Sequence, residues 1–199
     1  MNNDNDKRPP LKLITISASF DIKAAAADKP DEPATFDFLA YSGGALRLMF
    51  YSLPVVIDLQ GIKYAEDQNI SILVDHMRYP SAVAGNTTKI VNDGKVLRES
   101  GILYNTIDNE IKKIVAKARL GHKWQCSVGA LPLKIEYVPE DTKITVNAQE
   151  FKGPIYIARE SELLETSIVV IGADRDNEVD INAMLKEAKN RKPLTIITT

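Results

Sequence analysis

The feature that most restricts this chain is a succession of short apolar stretches, rich in β-branched residues, at residues 53–59, 70–74, 89–91, 101–104, 125–133, 134–138, 143–146, 155–158 and 166–171. Segments this short bury their apolar side chains only by pairing with one another as a sheet. Ser42-Gly43-Gly44, Asp93-Gly94, Pro139-Glu140-Asp141 and Lys152-Gly153-Pro154 separate them at hairpin-like spacing. That spacing favours antiparallel strands over crossover units and predicts a closed or nearly closed barrel.

Two helices are expected beside the sheet. Over residues 106–120, Ile107, Ile111, Ile114, Val115 and Ala118 fall at three- and four-residue steps, and Gly121 supplies a stop. A second, over 181–190, carries Ala183, Leu185 and Ala188 among charges and is limited by Pro193. The first ten residues and the stretch 24–35 (AAAADKPDEPAT) lack hydrophobic periodicity and read as loop, with one strand expected between them at 11–20. The expected division is a flexible segment over 1–35 with that one strand, a single domain over 36–181, and a helix end and tail over 182–199. The fold class is mainly β with flanking helices (α+β).

Charge and cysteine usage narrow the function. With 25 Lys+Arg against 27 Asp+Glu the formal charge is −2, which gives no pull towards nucleic acid or an anionic membrane. The single cysteine, Cys126, allows no intramolecular disulfide and fits a reducing compartment. No apolar run reaches bilayer-spanning length, so a soluble, intracellular protein without a membrane partner is expected. The two histidines, His76 and His122, are 46 positions apart (122 minus 76) and with one cysteine form no zinc-ligand spacing, so no metal is expected. Ser42-Gly43-Gly44 lacks the Lys-Ser/Thr ending of a phosphate loop, and no cofactor is expected. The acids show no spacing that singles out a pair for glycoside hydrolysis.

Acyl-transfer chemistry remains. It needs a Ser or Cys nucleophile, a base to take its proton and a group to orient that base. Within Trp124-Gln125-Cys126-Ser127-Val128-Gly129-Ala130, strand alternation sends Cys126 and Val128 to one face and Ser127 to the other, and Gly129 would let a substrate backbone approach. The plainer reading of Ser127 is an ordinary strand serine. His76 closes the apolar run Ile72-Leu73-Val74-Asp75, where a side chain can project into a cleft. Asp75 is a poor partner for it, because neighbours on a strand face opposite ways. His122 follows a helix-stopping glycine and reads as a cation at the negative end of the helix dipole.

The order of motifs resembles the tailed-phage prohead protease family. The resemblance is carried by Leu73-Val74-Asp75-His76, the Asp93-Gly94 hairpin, the helix ending Ala118-Arg119-Leu120-Gly121, the Ser127 motif, and Leu164-Glu165-Thr166-Ser167-Ile168-Val169-Val170-Ile171-Gly172-Ala173-Asp174. Ala40-Tyr41-Ser42-Gly43-Gly44 and Leu53-Pro54-Val55-Val56-Ile57-Asp58-Leu59 extend it over residues 36–181. It implies an antiparallel β-barrel of the herpesvirus assemblin type, with Ser127 as nucleophile, His76 as general base, and Glu165 of the Glu-x-Ser motif as the acid that orients His76. For Glu165 the plainer alternative is a strand-end carboxylate paired with a surface Lys or Arg. Assemblins use a histidine as third member, so His122 stays open in that role. Neither Cys126 nor His122 is part of the motif.

By the same resemblance, the activity would be that of a serine endopeptidase. Its substrates and partners would be scaffold and major capsid protein inside an assembling procapsid of a phage or prophage, in the host cytoplasm. Self-cleavage would fall in the N-terminal loop or after Pro193, and a homo-oligomer is allowed. The rival reading is a non-catalytic capsid-assembly or scaffold-associated protein that keeps the barrel.

Overall fold

A computed structural model describes residues 12, 14–23, 32–48 and 50–170. The protein is mainly β with one helix among these residues. In chain order the strands are β1 (Ile14–Lys23), β2 (Thr35–Tyr41), β3 (Val55–Ile57), β4 (Ile62–Lys63), β5 (Ser71–Val74), β6 (Val83–Asn92), β7 (Leu97–Leu103), β8 (Trp124–Val138), β9 (Lys143–Val146), β10 (Gln149–Lys152) and β11 (Ile155–Val169). Helix α1 (Asn109–Arg119) lies between β7 and β8.

The main sheet is strongly curled. Its pairings run β11-β5-β6-β7-β2-β1-β8 and return from β8 to β11, so these strands form a closed cycle of neighbours. β9 and β10 form a separate hairpin. The expected antiparallel pattern holds around most of the cycle. It fails at β11, which pairs parallel with β3, β4 and β5. These three are short, successive strands that each meet a different part of one long strand, an arrangement that turn spacing cannot reveal. The stretches expected at 125–133 and 134–138 are one strand, β8, and those at 155–158 and 166–171 merge into β11. Pro132 suggests a break, but it sits where the β8–β11 register shifts beside Ser161, and a residue without N–H is tolerated at such an irregularity.

Strand β1 is shifted from the expected 11–20 and is an integral part of the sheet, lying between β2 and β8. β2 begins at Thr35, so the sheet takes in residues N-terminal to 36. Both the stretch 24–31 and the expected helix at 181–190 with its tail fall outside the described residues.

Helix α1 starts later than its apolar spacing suggests. Asp108 caps it, accepting hydrogen bonds from the N–H groups of Glu110 and Ile111 at 2.8 and 3.1 Å. Ile107 therefore stands outside the helix and is exposed, whereas Ile111, Ile114 and Val115 enter the core. At the other end Gly121 takes φ +92°, its N–H donates to the carbonyl of Ala118, and the His122 N–H donates to that of Lys117. This paired closure needs a left-handed residue, which glycine supplies without a Cβ penalty. Trp124 Nε1 donates to the Ile114 carbonyl at 3.1 Å and ties the helix to the first residue of β8.

The core lies inside the curled sheet. Register places Ile14 beside Ala130, Ile16 beside Val128, and Cys126 beside Ile168, and all six are buried. The intervening residues of β8 and β11 point to the outer face.

Replacing Asp108 by Ala should lower stability by about 1 kcal/mol through loss of the cap, read as a drop in the urea midpoint with unchanged slope.

Candidate active site

His76 is placed by a turn that ends β5. Val74 pairs with Ile168 on β11, and the Asp75 N–H donates to the Ile168 carbonyl at 3.1 Å. Asp75 and His76 then take φ values of 53° and 58°, and the Met77 N–H returns to the Val74 carbonyl at 3.1 Å. Two consecutive left-handed residues reverse the chain as in a type I′ turn, and Asp and His tolerate that region better than most residues. The strand has thus ended before Asp75, whose side chain is exposed.

The turn delivers the imidazole to Glu165. His76 Nδ1 lies 2.9 Å from Glu165 Oε1. The other carboxylate oxygen, Oε2, accepts a 2.6 Å hydrogen bond from Ser167 Oγ, and Ser167 Oγ accepts one at 3.1 Å from the His76 backbone N–H. Glu165 is 4% exposed, so it is not a surface carboxylate paired with Lys or Arg. His76 remains one-third exposed.

Ser127 is on the same outer row. In the β8–β11 ladder Ser127 stands opposite Ser167, and Gly129 opposite Glu165. Directly paired antiparallel residues send their side chains to one side, so Ser127, Ser167 and Glu165 share a face. The structure joins His76 to Glu165 directly and brings Ser127 only to the next strand. Ser127 Oγ is buried, with the residue 1% exposed, and makes no hydrogen bond among the described residues.

His122 sits elsewhere, with its ring edge-to-face against Trp124 at 4.3 Å between centroids and its N–H closing helix α1. Trp124 lies on the inward row with Cys126 and Val128, the face of β8 opposite to Ser127. Cys126 is fully buried on that row.

Gly129 has a different task from the one its sequence suggests. A Cβ at this position would stand 2.4 Å from Glu165 Oε1. The space left by the missing side chain is filled by the Glu165 carboxylate, not by a substrate backbone.

A second acid lies behind the site. Along β7, Leu97, Glu99 and Leu103 alternate inward, so Glu99 enters the core at 1% exposure. Its Oε2 accepts a 2.8 Å hydrogen bond from Thr166 Oγ1, and its Oε1 has no partner among the described residues. Thr166 is the residue between Glu165 and Ser167. Burial pushes the Glu99 carboxyl from 4.5 up to about 7; the Thr166 hydroxyl opposes this and the charge of Glu165 adds to it. The two-residue alternation of Leu97, Glu99 and Leu103 is the sequence signal that marks Glu99 as inward-facing.

Among the described residues no group of three or more His, Cys, Asp and Glu could hold a metal ion. A cleft of about 570 Å³ opens farther along β8 and β11, between Lys63, Tyr64, Leu133, Glu162 and Leu164. Its lining does not include His76, Ser127 or Glu165. No family model, no curated protein and no solved structure matches this chain.

Two outcomes follow from this geometry. Gly129→Ala should displace the Glu165 carboxylate from His76 and lower stability by about 1–3 kcal/mol through overpacking, measured by urea unfolding. The second concerns pH. Glu99 binds its proton more tightly in the fold than in the unfolded chain, so its contribution is full below about pH 4.5 and is lost as pH rises to about 7. The decline should be on the order of 3 kcal/mol, and Glu99→Gln should flatten the stability curve between about pH 4.5 and 7. An unchanged slope in that variant would show that Glu99 does not titrate there.

Proposed function

We propose that this protein is a serine endopeptidase of the prohead protease type, with Ser127 as nucleophile, His76 as general base and Glu165 as the acid that orients the imidazole. The observation that carries this reading is the His76–Glu165 contact, 2.9 Å from Nδ1 to Oε1, on the same outer row as Ser127. A proton held on Nδ1 by the carboxylate leaves Nε2 with its lone pair, the form of imidazole that can accept a proton.

In the reaction, Nε2 of His76 removes the Ser127 hydroxyl proton as Oγ attacks a peptide carbonyl. The protonated imidazole then gives that proton to the leaving amine as the C–N bond breaks. Water, deprotonated by the same nitrogen, hydrolyses the acyl-enzyme and restores Ser127. Glu165 keeps the ring orientation through both steps. Because Ser127 is buried, the groups over it must shift to admit a peptide.

Supported by the motif order along the chain, the proposed substrates are the scaffold and major capsid proteins of a phage procapsid, cleaved inside the assembling particle in the host cytoplasm. The assemblin-type barrel belongs to the same reading, supported by the cycle of strand pairings. The burial of Ser127 and its hydroxyl, unpartnered among the described residues, favour a second reading, a non-catalytic capsid-assembly protein on the same fold.

Co-expression of the full chain with candidate phage capsid and scaffold proteins separates the two. Mass spectrometry should find new termini with the wild type and none with Ser127→Ala. Identical uncut products from both folded proteins would overturn the protease reading and leave the assembly reading in its place.

A further inference from the structure

The geometry points to Ser167 as the positioning residue of this site, fixing His76 and Glu165 together through one hydroxyl. The inference rests on the protease reading for its effect on rate, although the arrangement itself is independent of it.

A serine hydroxyl has one proton to give and lone pairs to receive. Here the proton goes to Glu165 Oε2 at 2.6 Å, and a lone pair receives the His76 N–H at 3.1 Å. The first bond sets the rotation of the carboxylate, so that its remaining oxygen, Oε1, faces His76 Nδ1. The second holds the backbone of His76 at φ 58°, directly after Asp75 at φ 53°. Backbone in this region persists only where surrounding contacts determine it. Ser167 is fully buried, so water does not replace either bond when the hydroxyl is removed.

Its position explains the economy of the arrangement. Ser167 lies on β11 two residues from Glu165 and therefore on the same face, and its neighbour in the ladder is Ser127. It stands between the base and the proposed nucleophile while its own proton is committed to a carboxylate instead of an imidazole nitrogen, which separates its part from that of Ser127. Loss of the hydroxyl should let the imidazole drift from its 2.9 Å contact with Glu165 without emptying the site.

The test uses the full chain as wild type, Ser127→Ala, Ser167→Ala and Ser167→Thr, with two readouts. The first is reaction with diisopropyl fluorophosphate, in which Oγ of Ser127 bonds to phosphorus, fluoride leaves, and the hydroxyl proton departs through His76. Intact mass should show labelling of the wild type and none of Ser127→Ala. Ser167→Ala should label about 10- to 100-fold more slowly, and Ser167→Thr, which keeps the hydroxyl, should recover most of the rate. The second is the Nδ1–H signal of His76 in a histidine-labelled nitrogen-15 NMR spectrum, distinguished from His122 with His122→Gln. That proton should be protected from solvent exchange in the wild type and lost in Ser167→Ala.

A folded Ser167→Ala that labels at the wild-type rate and keeps the Nδ1–H signal overturns the role given to Ser167. Failure of the wild type to label counts against the protease reading, and the imidazole signal then decides the part of Ser167 alone: its loss in Ser167→Ala supports the inference and its persistence overturns it.

Discussion

The ladder between β8 and β11 is the interaction on which the rest of the structure depends. Each strand is fifteen residues long, and each has further neighbours: β8 pairs with β1 on its other edge, and β11 with β3, β4 and β5. Without their mutual pairing the sheet has two open edges and a core exposed along the seam. With it, one alternation serves two purposes. The inward row supplies Cys126, Val128, Thr166 and Ile168 to the core, and the outward row supplies Ser127, Gly129, Glu165 and Ser167 to the site.

That outward row is buried, which makes its polar groups demanding. Glu165 meets the demand with a bond on each oxygen, and Ser167 by acting as both donor and acceptor. On the inner side of β11, Glu99 meets only half of it, through Thr166. Two carboxyl groups thus flank one strand from opposite faces, one bonded on both oxygens and one, among the described residues, on a single oxygen. The lower dielectric around Glu99 is the reason its proton is held more tightly than that of a solvated acid. The apolar faces of the sheet dictate its curl around the core, whereas the polar row dictates which side chains must meet.

Much of this was legible in the residues. Short β-branched runs marked the strands, Asp93-Gly94 marked the β6–β7 hairpin, where Gly94 takes φ +77°, and Gly121 marked the end of α1. The alternation around Cys126 and Ser127 gave their opposite faces. Other features were hidden, most of them because they depend on partners remote in sequence. The parallel contacts of β11 join segments about 100 residues apart, and no local pattern encodes them. Ile107 fits the helical spacing yet lies outside the helix, because capping by Asp108 fixes the boundary more sharply than periodicity does. Gly129 looked like an opening for a ligand, and only the register showed that a carboxylate from the facing strand occupies the space. Ser167 stood within the Glu-x-Ser motif, but the bond it accepts from His76 requires that turn to be in place.

The parallel docking of β5 beside β11 has a consequence for how the molecule comes into being. His76 is synthesised 89 residues ahead of Glu165. At ribosomal speeds of about 5–20 residues per second, that interval lasts roughly 4–18 s. Throughout it, the emerging polypeptide carries the histidine without its acid, on a short strand whose long partner has not yet been made. The seam can close only once the last described strand has left the ribosome, so the histidine–carboxylate pair has no route to form before that point.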